Sequence, residues 1–249
     1  MANRSSYLDK LQYVYPFQKN EIRPLSKTNI KLIEKEYRKG NGPKLLETLL
    51  TLEKFPIDNK YIGSLKISQK LRENNPKIIK QISDILLELE LDTLLTYCQM
   101  PKKDSRQMGN VFKNWLKSKY NFVKKSEFES SSDPLVFLQG SDSKLKDYIN
   151  SKFDANLTEP TYKGLDFVFK KNNIYCCGEA KFISASGGGQ DNQFNIALKV
   201  ADLNINGIKS LALIDGVPWL LEKYKTKMQQ NTGKNIMSAL LLDKFISEL

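Results

Sequence analysis

The sequence predicts an α/β protein: a mixed β-sheet flanked by helices over residues 105–249, preceded by a helical region over residues 1–104. Three observations predict it. In the first hundred residues apolar side chains recur at helical spacing between proline breaks. Beyond residue 120, short apolar runs of strand length alternate with amphipathic segments. Two of those runs, Phe167-Val168-Phe169 and Ile174-Tyr175-Cys176-Cys177, flank a polar Lys/Asn stretch that reads as a hairpin turn.

Taken in order, helical patterns run over 29–39, 43–54, 76–88 and 91–99, punctuated by Pro56, Pro76 and Pro101. A helix over 105–120 gathers Met108, Val111, Phe112, Trp115 and Leu116 on one face, leaving Arg106, Lys113 and Lys117 elsewhere. Strands are expected at 121–123 and 135–138 and a helix at 142–153, followed by a hairpin turning at 170–173. Phe194, Ala197, Leu198 and Ala201 fall at i, i+3, i+4 and i+7 of the next helix, and a strand over 209–214 follows. Helices over 218–229 and 233–247 complete the pattern. Glu127 and Glu129, in a Ser-rich stretch, read as a charged loop.

Lys and Arg number 39 against 28 Asp and Glu, a formal net charge of +11, which is the electrostatic footprint of a polyanion-binding protein. Double-stranded DNA is the natural candidate partner. Basic charge also serves membrane surfaces, but no apolar stretch reaches the ~20 residues that span a bilayer. Residues 1–20 hold no signal-peptide core, so a cytoplasmic protein without membrane association is expected. The sequence has no histidine, which excludes Ser-His-Asp hydrolases, histidine-metal nucleases and Cys/His zinc sites together. Cys98, Cys176 and Cys177 lack metal spacing and are expected as reduced, buried thiols.

The chemistry concentrates in the hairpin. Side chains alternate along a strand, so Glu179 and Lys181 share one face while Ala180 points to the other. The turn brings Asp166 across from Glu179. Two converging carboxylates repel unless a cation lies between them, and hard oxygen donors favour Mg²⁺ or Mn²⁺. Lys181 adds a fixed positive charge able to steer water or stabilise a phosphate. An exposed hairpin of alternating charge also yields Glu-x-Lys, so the short motif alone leaves both readings open.

The next segment, Ser184-Ala185-Ser186-Gly187-Gly188-Gly189-Gln190-Asp191-Asn192-Gln193-Phe194, is rich in glycine and amides and leads into a helix. Its glycines allow close backbone approach and its helix N-terminus favours an anion. Ser186, Gln190, Asn192 and Gln193 are candidates for DNA contact, with Gln190 able instead to support Lys181. A flexible loop with a helix cap is the plain alternative. Lys102, Lys103 and Arg106 form a basic cluster suited to the DNA backbone, as do Lys223, Lys225 and Lys227.

The runs Lys163-Gly164-Leu165-Asp166-Phe167-Val168 and Gly178-Glu179-Ala180-Lys181-Phe182-Ile183, with the glycine-rich segment after them, resemble type II restriction endonucleases of the PD-(D/E)xK superfamily. Phe137-Leu138-Gln139-Gly140-Ser141-Asp142 and Leu213-Ile214-Asp215-Gly216-Val217-Pro218-Trp219 are similar to segments flanking that core, so the resemblance spans about residues 105–220 in matching order. Leu165 stands where many relatives have Pro, and Gly189 where some have His. The resemblance implies a PD-(D/E)xK restriction-endonuclease-like core and sequence-specific cleavage that leaves 5′-phosphate ends. It further implies Mg²⁺, with Mn²⁺ as a substitute, held by Asp166, Glu179 and the Ala180 carbonyl, while Lys181 orients and helps deprotonate water. A homodimer acting on palindromes, a cognate DNA methyltransferase as functional partner, and an N-terminal region serving DNA binding or dimerisation follow from the same likeness. A repair or recombination nuclease on this core, or a DNA-binding module without catalysis, are the other readings.

Overall fold

The computed structural model describes residues 6–17, 22–101, 107–158 and 162–249. Contacts divide the chain into residues 19–102 on one side and residues 1–18 together with 103–249 on the other. Helix α1 (Tyr7–Leu11) thus belongs with the larger unit, although the sequence pattern grouped it with the N-terminal helical region. Tyr7, Leu11, Val14 and Tyr15 explain this, because all four are buried in the core formed with the sheet.

The smaller unit is helical: α2 (Lys27–Arg38), α3 (Gly42–Leu50), α4 (Ile62–Ile67), α5 (Gln69–Glu73), α6 (Pro76–Glu88) and α7 (Leu91–Gln99). Local chemistry fixes the starts. Ser26 Oγ accepts from the Asn29 N–H at 3.1 Å, Asn41 Oδ1 accepts from the Lys44 N–H at 3.3 Å, and Pro76 opens α6 where its missing N–H costs nothing. Ile33, Leu45, Leu46, Leu49, Ile82, Leu86 and Leu94 make its core.

In the larger unit, α8 (Met108–Lys119) precedes β1 (Phe122–Val123), α9 (Lys125–Ser130), β2 (Leu135–Leu138), α10 (Asp142–Phe153), β3 (Phe167–Lys171), β4 (Ile174–Ile183), α11 (Gly188–Ala201), β5 (Ile208–Gly216), α12 (Glu222–Gln229), β6 (Asn235–Met237) and α13 (Leu242–Ser247). Among the described residues the six strands form one sheet in chain order, antiparallel at β2–β3–β4 and parallel elsewhere. The protein is therefore a mixed α/β structure with its sheet covered by helices. Alternation sorts the faces. Phe137, Phe167, Phe169, Leu211 and Leu213 pack on one side with α1, α8 and α13. Val136, Val168 and Cys177 face the other side with α10, as Ala212 and Ile214 do with α11. Cys176 and Cys177 are free, buried and on opposite faces, and burial pushes both thiols up to about 12.

Three local expectations are corrected. The helix expected over 233–247 begins instead as β6, whose Asn235, Ile236 and Met237 align with Leu211, Ala212 and Leu213 at the edge of β5. An open parallel edge offers this segment backbone hydrogen bonds that a helix would compete for. A 3₁₀ turn, Ala239–Leu241, and α13 follow. Glu127 and Glu129 lie in α9 and not in a loop, because Phe128 is fully buried and anchors that turn of helix. The hairpin turn is tighter than expected: Lys171 pairs with Ile174, leaving Asn172-Asn173, with Asn172 at φ 52° in the left-handed region that Asn tolerates.

One buried carboxylate ties distant segments together. Asp215, near the end of β5 and without solvent exposure, accepts from Tyr7 Oη at 3.2 Å, Tyr15 Oη at 3.1 Å, Ser238 Oγ at 2.5 Å and the Ala239 N–H at 3.2 Å. Burial raises its pKa against those four donors, which lower it.

Candidate active site

Asp166 stands one residue ahead of β3, where its N–H donates to the Gly178 carbonyl at 2.9 Å. Its approach depends on Gly164. A Cβ there would fall 2.5–2.8 Å from Asp142 Cβ and backbone, so only glycine lets this segment run against the start of α10. Glu179 and Lys181 project from the face of β4 opposite Ala180, as the alternation predicts.

The three residues converge. Lys181 Nζ lies 3.6 Å from Asp166 Oδ2 and makes a direct ion pair with Glu179. The Ala180 N–H donates to Asp166 Oδ2 at 3.0 Å, which holds the carboxylate against β4. Both carboxylates are nearly enclosed, with side chains 11% exposed for Asp166 and 10% for Glu179. Two further residues complete the cluster, and sequence reasoning did not assign them. Lys113 on α8 approaches Asp166 Oδ1 at 3.3 Å and also pairs with Asp142 at the first turn of α10. No local pattern marks them, since they meet only through the packing of α8 and α10 against the entry to β3.

Electrostatics follow from this crowding. Burial, reinforced by the charge of Asp166, pushes Glu179 up to about 7, although Lys181 opposes the shift. Burial alone would lower Lys181, but Asp166 and Glu179 outweigh it and raise the ammonium pKa above its ordinary value. Lys113 is raised likewise, with Asp142 and Asp166 outweighing burial. Lys181 therefore keeps its proton at neutral pH. It suits orienting water and stabilising charge, and not the removal of a proton.

The donor set fits a hard divalent cation: two carboxylates share a low-dielectric site, and one of them resists ionising beside the other. Among the described residues no three His, Cys, Asp or Glu side chains gather as a metal set. Asp166 and Glu179 would thus be the two side-chain donors to such an ion, with further positions left to a backbone carbonyl or water.

A pH dependence follows. Above Glu179's ordinary value of 4.5 the unfolded chain has released a proton that the native protein keeps until about 7. Native protein in chelator should therefore lose stability as pH rises through that window, on the order of 2 kcal/mol. Asp215, also raised, acts in the same direction. A divalent cation held by these carboxylates would select the ionised form and offset the loss. Thermal melts from pH 5 to 8 check this, and a flat profile in chelator would contradict the crowded pair.

The glycine-rich segment is pinned in place. Gly187 has φ 137°, a conformation side chains disfavour, and α11 starts immediately after it. The Ser184 N–H donates to Gln190 Oε1 at 3.2 Å, and the Gly187 N–H to Asp191 Oδ1 at 3.4 Å. Asp191 also pairs with Lys223 at 3.0 Å and accepts from Tyr224 Oη. That hydroxyl first, and Lys223 next, hold its carboxyl down at about 2. Gln190 is thus engaged within its own loop and makes no hydrogen bond to Lys181. Gln193 lines a cleft of about 660 Å³ with Asp142, Glu179 and Lys181, whereas Ser186 and Asn192 are exposed and lie outside its lining. Lys102, Lys103 and Arg106 fall outside the described residues.

A family model described as Tsp45I type II restriction enzyme matches residues 1–249 of the chain. No curated protein and no solved structure matches it.

Proposed function

The chain belongs to the Tsp45I type II restriction enzyme family, whose members are site-specific deoxyribonucleases, and from that premise we propose that Asp166, Glu179 and Lys181 form a PD-(D/E)xK active site that hydrolyses double-stranded DNA with Mg²⁺. The observation that carries this reading is the convergence of two nearly enclosed carboxylates and one partly buried ammonium on two hydrogen-bonded strands and the residue that enters one of them.

Asp166 and Glu179 would hold the ion together with the Ala180 carbonyl, with Mn²⁺ able to replace Mg²⁺. When bound, the ion supplies positive charge to the scissile phosphate and makes water more acidic. Lys181, protonated and fixed by its two carboxylates, donates hydrogen bonds that orient the attacking water and stabilise charge growing on the phosphate. Water oxygen bonds to phosphorus in line as its proton passes to solvent, the bond from phosphorus to the 3′ oxygen breaks, and that oxygen takes a proton from solvent. The products are a 3′-hydroxyl and a 5′-phosphate. Gln193, at the cleft, is the amide best placed to meet the DNA near the cut.

Family membership also supports a homodimer, since two-fold protein symmetry matches a palindromic site, and a cognate methyltransferase that protects host DNA. Plasmid digestion with Mg²⁺, followed by sequencing of the ends, tests the proposal. Discrete fragments with 5′-phosphate ends, abolished by chelator, are expected. A smear, or cleavage that survives chelation, would refute it.

A further inference from the structure

A second cleft, of about 580 Å³, is lined by Asp166 and has a different character from the one holding Gln193. Five lysines line it: Lys113 and Lys117 from α8, Lys124 and Lys125 from the start of α9, and Lys144 from α10. Asp166 is the one acidic side chain in its lining, and Leu116, Leu138 and Leu145, all buried, form an apolar floor. Lys113 and Lys117 lie one helical turn apart and so share a face of α8. Lys113 is engaged by Asp142 and Asp166. The other four are exposed and form no ion pair among the described residues; Lys125 rests over the Tyr148 ring at 5.7 Å.

So much unneutralised like charge around a low-dielectric floor focuses a positive potential and repels itself until an anion arrives. The row is also directional, because its inner member, Lys113, is in contact with the proposed metal-binding carboxylate. We propose that this cleft carries the phosphodiester backbone of the DNA on one side of the scissile phosphate, with Lys117, Lys124, Lys125 and Lys144 as its phosphate contacts. The inference rests on the Asp166–Glu179–Lys181 site, which places the scissile phosphate at the inner end of the row. It adds contacts from α8, α9 and α10 to those expected of the basic cluster around residue 102 and of the glycine-rich segment.

The test is a triple variant, Lys117→Gln, Lys124→Gln, Lys144→Gln, which leaves Lys113 and Lys125 in place. Binding to cognate and scrambled duplexes is measured by fluorescence anisotropy in Ca²⁺ across a salt series, with thermal melts to confirm folding. The slope of log affinity against log salt should become shallower by about 2–3, with affinity at 0.1 M salt falling about 100-fold on both duplexes alike. The matching Lys→Arg triple should keep the wild-type slope. A Gln triple that keeps the wild-type slope, while wild-type protein still cuts plasmid into discrete fragments, overturns the cleft and leaves the active site standing. Wild-type protein that neither binds duplex nor cuts it overturns both.

Discussion

Lys181→Ala and Asp166→Ala are each expected to slow single-turnover DNA cleavage by about 10²–10³-fold or more, the cost of removing a group aimed at charge that develops in the transition state. Specific binding in Ca²⁺ should be largely spared in Lys181→Ala. The two variants differ in what they leave behind. Without Lys181, Glu179 and Asp166 face each other with Lys113 as the nearest cation, so metal-free protein should melt lower and Mg²⁺ should restore it more than in wild type. Without Asp166, the ammonium groups of Lys113 and Lys181 and the Ala180 N–H all lose their shared acceptor. Asp166→Asn keeps the shape but turns an amide toward two lysines, and it should be as inactive as the alanine variant. Cleavage at the wild-type rate in Lys181→Ala would remove the assignment.

The largest effect on stability is expected at Asp215, whose register partner Phe182 follows Lys181 on β4. Asp215→Ala strands two tyrosine hydroxyls, the Ser238 hydroxyl and the Ala239 N–H in a buried site, and it should destabilise the protein by about 3–5 kcal/mol, since each unsatisfied buried donor costs roughly 1–3 kcal/mol and relaxation recovers part of the total. Asp215→Asn retains one acceptor oxygen and should fall between wild type and alanine. Tyr7→Phe should cost less, because Asp215 keeps three donors, although the Gly216 N–H then loses the Tyr7 oxygen that accepts it at 3.1 Å. Urea unfolding monitored by tryptophan fluorescence reads all three. An alanine variant as stable as wild type would show that the carboxylate is not what joins these segments.

What the sequence made legible was local. The Asp166 hairpin is set by two apolar runs and a polar turn, and strand alternation puts Glu179 and Lys181 on one face without any tertiary information. The crossover helix after the glycines follows from its apolar spacing, and Gly187 supplies the conformation its start requires. The misses share a cause. Lys113 and Asp142 acquire a role only because Gly164 allows the entry to β3 to lie against α10, a contact between residues 22 positions apart in sequence. Asn235–Met237 looked helical beside its neighbours and became a strand because β5 had an open edge. Gln190 was equally able to serve Lys181, DNA or its own loop, and its engagement with Ser184 is a matter of a few ångströms that spacing does not encode.

The junction at Asp215 also bears on when this enzyme can exist during synthesis. Tyr7 and Tyr15 are made well before the carboxylate they bind, which lies more than 200 positions away for Tyr7, and Ser238 and Ala239 follow it later still. Closing so long a loop carries an entropic cost that must be met before its contacts form, so these segments are expected to dock late in folding. A nascent chain that stops before residue 235 lacks half the donors to Asp215 and leaves β5 without β6. Translation therefore sets the clock: the hairpin that carries Asp166, Glu179 and Lys181 is made before β6 and the Ser238–Ala239 segment that complete the sheet and the Asp215 junction, and DNA cleavage should appear only in nascent chains that include them.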